Sequence, residues 1–258
     1  MDRLLAVNRH QAILQRLDET KTATVEGLAT SLGVSRETIR RDLKHLAAGG
    51  LLTIVHGGAV RREQSEAPLA DRREANRLAK AAIAELAVGL VSDGMAILLD
   101  SGTTTEALAE MLARSGRQRL VIHTTSLIAA RLAARLAGAT VKLIGGEFDP
   151  NDDATSGAEA RRAVSRLSVD IAFVGVGGID EDGCFSDYTR TAADLRATML
   201  RAGERSYFLA DHSKFGIRLA SALPELQQAS GLLTDRPPAP SASAALGSRG
   251  IKVVTPSG

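Results

Sequence analysis

Tryptophan is absent from these 258 residues, cysteine occurs once, at Cys184, and aromatic side chains make up 3% of the chain. Each shortage excludes something. A lone cysteine closes no intramolecular disulfide and builds no cysteine zinc cluster, which suits a reducing cytoplasm. So few rings argue against reading single-stranded nucleic acid by stacking. The longest apolar runs are of strand length or carry charges, so no membrane span is expected. Met1-Asp-Arg-Leu-Leu5 also lacks the hydrophobic block of a signal peptide.

A hydrophobic content of 44% with 24% charge fits a globular protein with a sizeable core, and the length suits two domains. With rings scarce, that core is expected to be aliphatic. The net charge is only +2, but it is unevenly placed. Residues 1–62 hold ten Lys/Arg against six Asp/Glu, whereas the rest holds twenty-two against twenty-four. Nucleic acid attracts a basic segment of that kind, although a balance of +4 is often only a solvated surface.

The N-terminal pattern is more specific. Ile13, Leu14 and Leu17 mark a first helix at 9–17, Thr20–Thr24 reads as a polar connector, and Val25–Leu32 is a second short helix. Gly33-Val34 then turns the chain, and Ser35 is placed to cap a third helix. On that helix Ile39, Leu43 and Leu46 fall within about 60° of one another at 100° per residue. Gly49-Gly50 stops it, Leu51–Val55 reads as a strand, His56-Gly57-Gly58 turns, and Ala59–Arg62 returns as a wing. A winged helix-turn-helix is expected over 1–62.

The third helix turns Arg36, Arg40 and Arg41 outward, and a guanidinium fork suits guanine O6/N7 or a phosphate. Thr38 and Lys44 suit phosphates. Asp42 sits at the core margin, where it would orient a neighbouring arginine instead of touching DNA. The DNA-facing set is therefore Ser35, Arg36, Thr38, Arg40, Arg41, Lys44 and, on the wing, His56. The rival is a solvated basic helix of an ordinary bundle. Against it stand the Gly33 turn, the Ser35 cap, the preceding helix and the Gly57-Gly58 wing, all in register.

Residues 63–69, with Pro68, read as a linker, and 70–258 as a second domain opening on one long amphipathic helix over 70–91. Apolar runs at 96–99, 120–122, 141–144, 171–176, 207–210, 232–233 and 251–254 alternate with helical patterns at 105–114, 126–137, 157–167 and 191–202. Pro237-Pro-Ala-Pro240 turns the chain into a final helix. That alternation predicts an α/β domain with a mainly parallel sheet covered on both faces. Ligands of such sheets sit at the carboxyl ends of the strands. The candidates there are Asp100, Ser101, Gly102, Thr103, Thr104 and Thr105, then Thr124, Thr125 and Ser126, Gly145 and Gly146, Gly177, and Lys214. Ser101–Thr105 offers N–H groups, hydroxyls and a positive helix end, and Lys214 a full charge, so the pocket suits phosphate. Each loop alone is equally an N-cap or a turn; five at one sheet edge favour a shared pocket. Asp187, Tyr188 and Arg190 either select the ligand or form a surface turn.

Arg9, Ile13 and Leu17 at four-residue steps, Ser35-x-x-Thr38-Ile-Arg-Arg-Asp-Leu43 and His56-Gly-Gly-Ala59 resemble the DeoR family of bacterial transcriptional regulators. The resemblance continues through Asn76 and Lys80, Leu99-Asp-Ser-Gly-Thr-Thr-Thr105, Ile144-Gly-Gly146, Asp170-Ile-Ala-Phe-Val-Gly175 and Ala210-Asp-His-Ser-Lys-Phe-Gly216. Gly177-Gly-Ile-Asp-Glu-Asp-Gly183 and Thr234-Asp-Arg-Pro-Pro238 look most like its glycerol-3-phosphate repressor branch. The resemblance implies a sensor domain similar in fold to ribose-phosphate isomerases and a repressor of a carbohydrate or polyol operon. It implies double-stranded operator DNA and a phosphorylated sugar or polyol effector as partners, and a homo-oligomer, dimer or tetramer. No metal, cofactor or catalytic residue is expected. The family often has Asn where Thr125 stands and Asp or Asn where Gly177 stands, so effector identity is not carried over. The rival from another class is a sugar-phosphate isomerase fused to a DNA-binding module. That chemistry needs a positioned carboxylate base, and Gly177 stands in the matching loop.

Overall fold

Ile13 and Leu17, Leu28 and Ala29, and Ile39, Leu43 and Leu46 are all buried, so three amphipathic helices converge on one small aliphatic core. The computed structural model describes residues 6–20, 22–48, 52–61, 66–224 and 228–256. The chain forms two compact units, Met1–Ser65 and Glu66–Gly258. The first contains α1 (Ala6–Thr20), β1 (Thr22–Thr24), α2 (Val25–Leu32), α3 (Arg36–Ala48), β2 (Leu52–Val55) and β3 (Gly58–Arg61). Gly33 ends α2 in the left-handed region at φ 65°, and Ser35 Oγ accepts the Thr38 N–H at 3.1 Å to start α3. The expected stop at Gly49-Gly50, the strand residue Leu51, Arg62 and linker residues 63–65 lie outside the described residues.

The Thr20–Thr24 connector needs correction. Thr22–Thr24 is a strand, pairing antiparallel with β3 so that Thr22 faces Val60 and Thr24 faces Gly58. The wing is thus part of a three-stranded sheet in the order β1-β3-β2. A Cβ at position 58 would lie 2.2 Å from the Ala23 carbonyl oxygen, so glycine is what lets β1 close on the wing.

The second unit runs α4 (Leu69–Glu74), α5 (Arg77–Gly89), β4 (Ala96–Leu99), α6 (Thr103–Arg114), β5 (Val121–Thr124), α7 (Leu127–Ala133) and β6 (Thr140–Leu143). A hairpin of β7 (Glu147–Asp149) and β8 (Ala154–Ser156) follows, then α8 (Gly157–Val164), β9 (Val169–Gly175), β10 (Gly178–Ile179) and β11 (Phe185–Asp187). The chain finishes with α9 (Arg190–Ala202), β12 (Gly203–Leu209), β13 (Ser221–Ala222), β14 (Gly231–Leu233), α10 (Pro240–Ser248) and β15 (Val253–Val254). Seven strands form one parallel sheet, β15-β14-β12-β9-β4-β5-β6. Ile97 and Leu99 point to the face covered by α5, α6 and α7, and Leu98 to the other. Both faces are buried, which is why the strands read as continuous apolar runs. From β4 the chain winds outward through β5 and β6, then returns to β9 on the opposite side, so the strand order reverses between β4 and β9.

Two features depart from the sequence reading. The helix expected over 70–91 is broken: Ala75 is extended and Asn76 is left-handed at φ 54°. Polar contacts hold the break: Asn76 Nδ2 donates to the distant Asp211 Oδ1 at 3.1 Å, and Lys80 Nζ donates locally to the Arg72 and Ala75 carbonyls. The second is a small antiparallel sheet, β10-β11-β13, with strands of two or three residues, too short to leave a periodic signal.

Candidate functional site

In the first unit the buried face of α3 positions the exposed one. Asp42 is buried and accepts from Arg9 Nε at 2.5 Å and Nη2 at 2.9 Å, with His10 Nε2 2.9 Å away. Burial pushes the Asp42 carboxyl up, but the hydrogen bonds from Arg9 and His10 outweigh it and hold it below its ordinary value. The arginine that Asp42 orients is therefore on α1, and the pair fixes how α3 lies on that helix. Outward from it, Arg36, Arg40 and Lys44 border a cleft whose other wall is Ile54, Val55 and His56 of the wing. Arg36 pairs with Glu26, and Arg40 lies 3.6 Å from Glu37; all four side chains are more than half exposed. Ser35 and Thr38 bond each other at the start of α3, and Arg41 is exposed away from the cleft. The exposed Ile54 and Val55 are an apolar wing surface that polarity-based reading passed over.

The second site lies at the β4/β9 reversal, where ligands of open parallel sheets bind. A cavity of about 120 Å³ is bordered by the loop after β4 (Ser101–Thr105), the end of β9, and Asp211, Ser213 and Lys214 after β12. Asn76 and Lys80 of α5, Arg196 of α9, and Glu66 and Arg72 complete it. Gly102 holds φ 118°, ψ 161°, a backbone region that only glycine enters easily, and α6 starts there with no side-chain cap. By contrast, Ser126 caps α7 and Thr189 caps α9. The positive end of α6 therefore faces the cavity uncovered.

Among the described residues the charges around it are hydrogen-bonded, with one exception. Arg196 Nε donates to Asp100 Oδ2 at 2.7 Å and Nη1 to Asp187; burial pulls this guanidinium down, yet the Asp100 carboxylate more than compensates and holds it high. Arg72 Nη1 donates to Glu66 Oε1 at 2.9 Å, and Nη2 to Asp152. Burial, then the like charge of Asp152, raise the Glu66 carboxyl against the pull of Arg72, Arg196 and Lys214. Burial lowers both lysines, opposed by Asp211 at Lys80 and by Glu66 and Asp211 at Lys214. The Lys214 ammonium makes no hydrogen bond or close ion pair among the described residues. It is the cation available to a ligand.

Of the candidates read from the sequence, Ser101, Gly102, Thr103, Thr104, Thr105 and Lys214 line this cavity, and Asp100 stands directly behind it, accepting from Ser101 N, Gly175 N and Arg196. The rest are placed elsewhere. Thr124, Thr125 and Ser126 are fully buried at the end of β5, and Gly145 and Gly146 follow β6, one and two strands away from the reversal. The β7–β8 hairpin closes over both ends: Thr155 N donates to Thr125 O at 2.9 Å, and Thr155 Oγ1 to Ile144 O at 2.6 Å. Gly177 packs under Leu219 and Ser186 of the small antiparallel layer. Asp187 is buried against Arg196, whereas Arg190 is exposed and pairs with Asp194. Arg196 did leave a signal, being an arginine on the apolar stripe Ala193, Ala197, Leu200 of α9. Glu66 and Arg72 left none, since their partners are set by the fold. Among the described residues no His/Cys/Asp/Glu group is arranged to hold a metal, and no helix is long and apolar enough to cross a membrane.

Comparison with known proteins accords with this division. Residues 9–65 match the DeoR-like helix-turn-helix domain family, and residues 75–236 the DeoR C terminal sensor domain family. The chain is 31% identical over 227 residues to the glycerol-3-phosphate regulon repressor of Haemophilus influenzae, covering 88% of each. It is 28% identical to the HTH-type transcriptional repressor CsqR of Escherichia coli, over 96% of this chain and 95% of that one. Among solved structures, ribose 5-phosphate isomerase A of Methanocaldococcus jannaschii matches over 55% of each chain, with 22% identity and a TM-score of 0.40.

Proposed function

From a chain that belongs to the DeoR family, we propose a transcriptional repressor of a carbohydrate or polyol operon that a phosphorylated sugar or polyol releases from DNA. Arg36, Arg40 and Lys44 enter the major groove with α3, and their carboxylate partners Glu26 and Glu37 give way to bases and phosphates. Those pairs are exposed and hold little energy, so the exchange costs little. His56 at the wing tip and the apolar Ile54 and Val55 beside it meet the backbone and thymine methyl groups. Ser35, Thr38 and Arg41 set the helix start and the flanking phosphates.

The effector's phosphate lies on the N–H groups of Thr103–Thr105, with Lys214 and Lys80 beside it. The observation that carries this is the uncapped start of α6, opening on a cavity with an uncommitted lysine. The name of the Haemophilus influenzae relative points to glycerol 3-phosphate as the first compound to try. Release requires the effector to bind the DNA-free form better: a 100-fold loss of operator affinity corresponds to about 2.7 kcal/mol. A homo-oligomer, dimer or tetramer, would space two winged helices for a repeated operator. The protein acts as a regulator rather than an isomerase. Of the carboxylates near the phosphate site, Asp211 accepts from Asn76 and from both Ser213 groups, Asp100 from Arg196 and Glu66 from Arg72, leaving none placed as a free base. A thermal-shift screen of sugar and polyol phosphates tests this, since a ligand at 100 times its Kd stabilises by about 2.7 kcal/mol. Absence of any shift, or turnover of pentose phosphates by the purified protein, would overturn it.

A further inference from the structure

Glu66 is the first residue of the second unit, five residues beyond the last residue of wing strand β3. Its side chain borders the same cavity as the start of α6. The neighbouring carboxylates Asp100 and Asp211 each accept three hydrogen bonds and are part of the frame. Among the described residues Glu66 has one hydrogen-bond partner, Arg72, and Arg72 keeps Asp152 and the Ala67 carbonyl if Glu66 leaves. The negative charge of Glu66 thus lies among the cations that a phosphate would use, on a side chain held by a single ion pair.

We infer that Glu66 is the pocket's own anion: its carboxylate balances the cationic site when effector is absent, and a bound phosphate displaces it, freeing Glu66, the residue through which the chain leads back to the wing. This rests on the pocket being the effector site. Two anions cannot share one set of cations without repulsion, so Glu66 and phosphate exclude each other. The displaced residue is joined through the chain to the DNA-reading unit, so a change of a few ångströms in the pocket has a direct route out of it. Burial and Asp152 both disfavour the Glu66 charge, which makes it readily replaced.

The test uses the full-length protein with inorganic phosphate and glycerol 3-phosphate, titrated by calorimetry, and hydrogen exchange over residues 66–74. A pocket occupied by its own carboxylate nine times in ten binds about tenfold more weakly than an open one. Glu66→Gln is therefore expected to bind phosphate about tenfold more tightly than wild type, with the melting temperature of the unliganded protein little changed. Phosphate should raise exchange at 66–74 in wild type, and Glu66→Gln should show the raised exchange without phosphate. Glu66→Asp, which keeps the charge on a shorter stem, should fall between the two and serves if the glutamine variant folds poorly. Equal or weaker binding by Glu66→Gln, or protection of 66–74 by phosphate, would overturn the inference. Should Lys214→Ala lose phosphate while Glu66→Gln changes nothing, the pocket stands and the displacement falls. Should wild type bind neither probe, both fall together.

Discussion

Arg196 and Asp100 form a buried pair across the point where the strand order reverses, with Nε 2.7 Å from Oδ2 and side chains 10% and 2% exposed. Asp100 follows β4 and also accepts the Gly175 N–H at the end of β9, while Arg196 comes from α9 and reaches Asp187 on β11. One pair therefore joins four elements behind the Ser101–Thr105 loop. Removing one partner strands a buried charge, at a cost of about 3–5 kcal/mol. Arg196→Met is expected to lower unfolding stability by that amount in urea, and an effect under 1 kcal/mol would contradict the pairing.

Arg40→Ala separates recognition from folding. Its side chain is 59% exposed and its contact with Glu37 is a 3.6 Å surface pair, so stability should change by less than about 0.5 kcal/mol. Operator affinity should fall by about 1–3 kcal/mol, roughly 5- to 150-fold, in gel-shift titrations. Full retained affinity would remove Arg40 from the DNA face.

Lys214→Ala should leave operator binding intact and raise the effector concentration needed for release. Burial lowers the Lys214 and Lys80 ammonium groups, so their charge is lost at a lower pH than that of an ordinary lysine, near about 10.4. Phosphate affinity should accordingly weaken on the alkaline side, and Lys214→Arg should flatten that slope. Calorimetry across the alkaline range decides; a slope unchanged in the arginine variant would exclude Lys214.

Gly102→Ala isolates the proposed phosphate loop. No atom lies within 4 Å of the added Cβ, so the penalty is backbone strain alone, at φ 118° and ψ 161°. About 1–3 kcal/mol of stability should be lost, with weaker phosphate binding as the loop relaxes. Unaltered stability and affinity would show that the glycine is dispensable.

Asp42 sets an acid limit on the DNA-reading unit. Its carboxyl is held below the ordinary value, so its stabilisation is complete above the unfolded value of about 3.9 and is lost as pH falls through the folded one. Asp42→Asn should be less stable than wild type at pH 7, and the gap should close as pH drops below about 4. Thermal melts over that range measure it; a gap independent of pH would mean the carboxylate charge is not what matters.

Much of this architecture was legible because its signals are local. The apolar runs of the parallel strands, the Gly33 turn, the Ser35 cap and the Gly57-Gly58 wing each span fewer than ten residues. What escaped depends on partners far away in sequence. β1 is a strand because Val60 and Ala59 pair with it, Asn76 breaks a helix because Asp211 holds it, and Arg72 reaches Asp152 eighty residues on. The same reason divides the candidate loops. Thr124–Ser126 and Gly145-Gly146 have the chemistry of a binding edge, but strand order puts them under the β7–β8 hairpin, and no composition reports strand order.

The pairing of β1 with β3 has a mechanical consequence. Stitched at Thr22, Ala23 and Thr24 to the chain between α1 and α2, the wing is tied to the helices by a strand pairing as well as by its own covalent links. A pairing of that kind resists a change of angle between the wing and the helices. In the proposed homo-oligomer the effector would alter where the head is carried, and hence whether two heads meet their half-sites together, while the grip of each one stays the same.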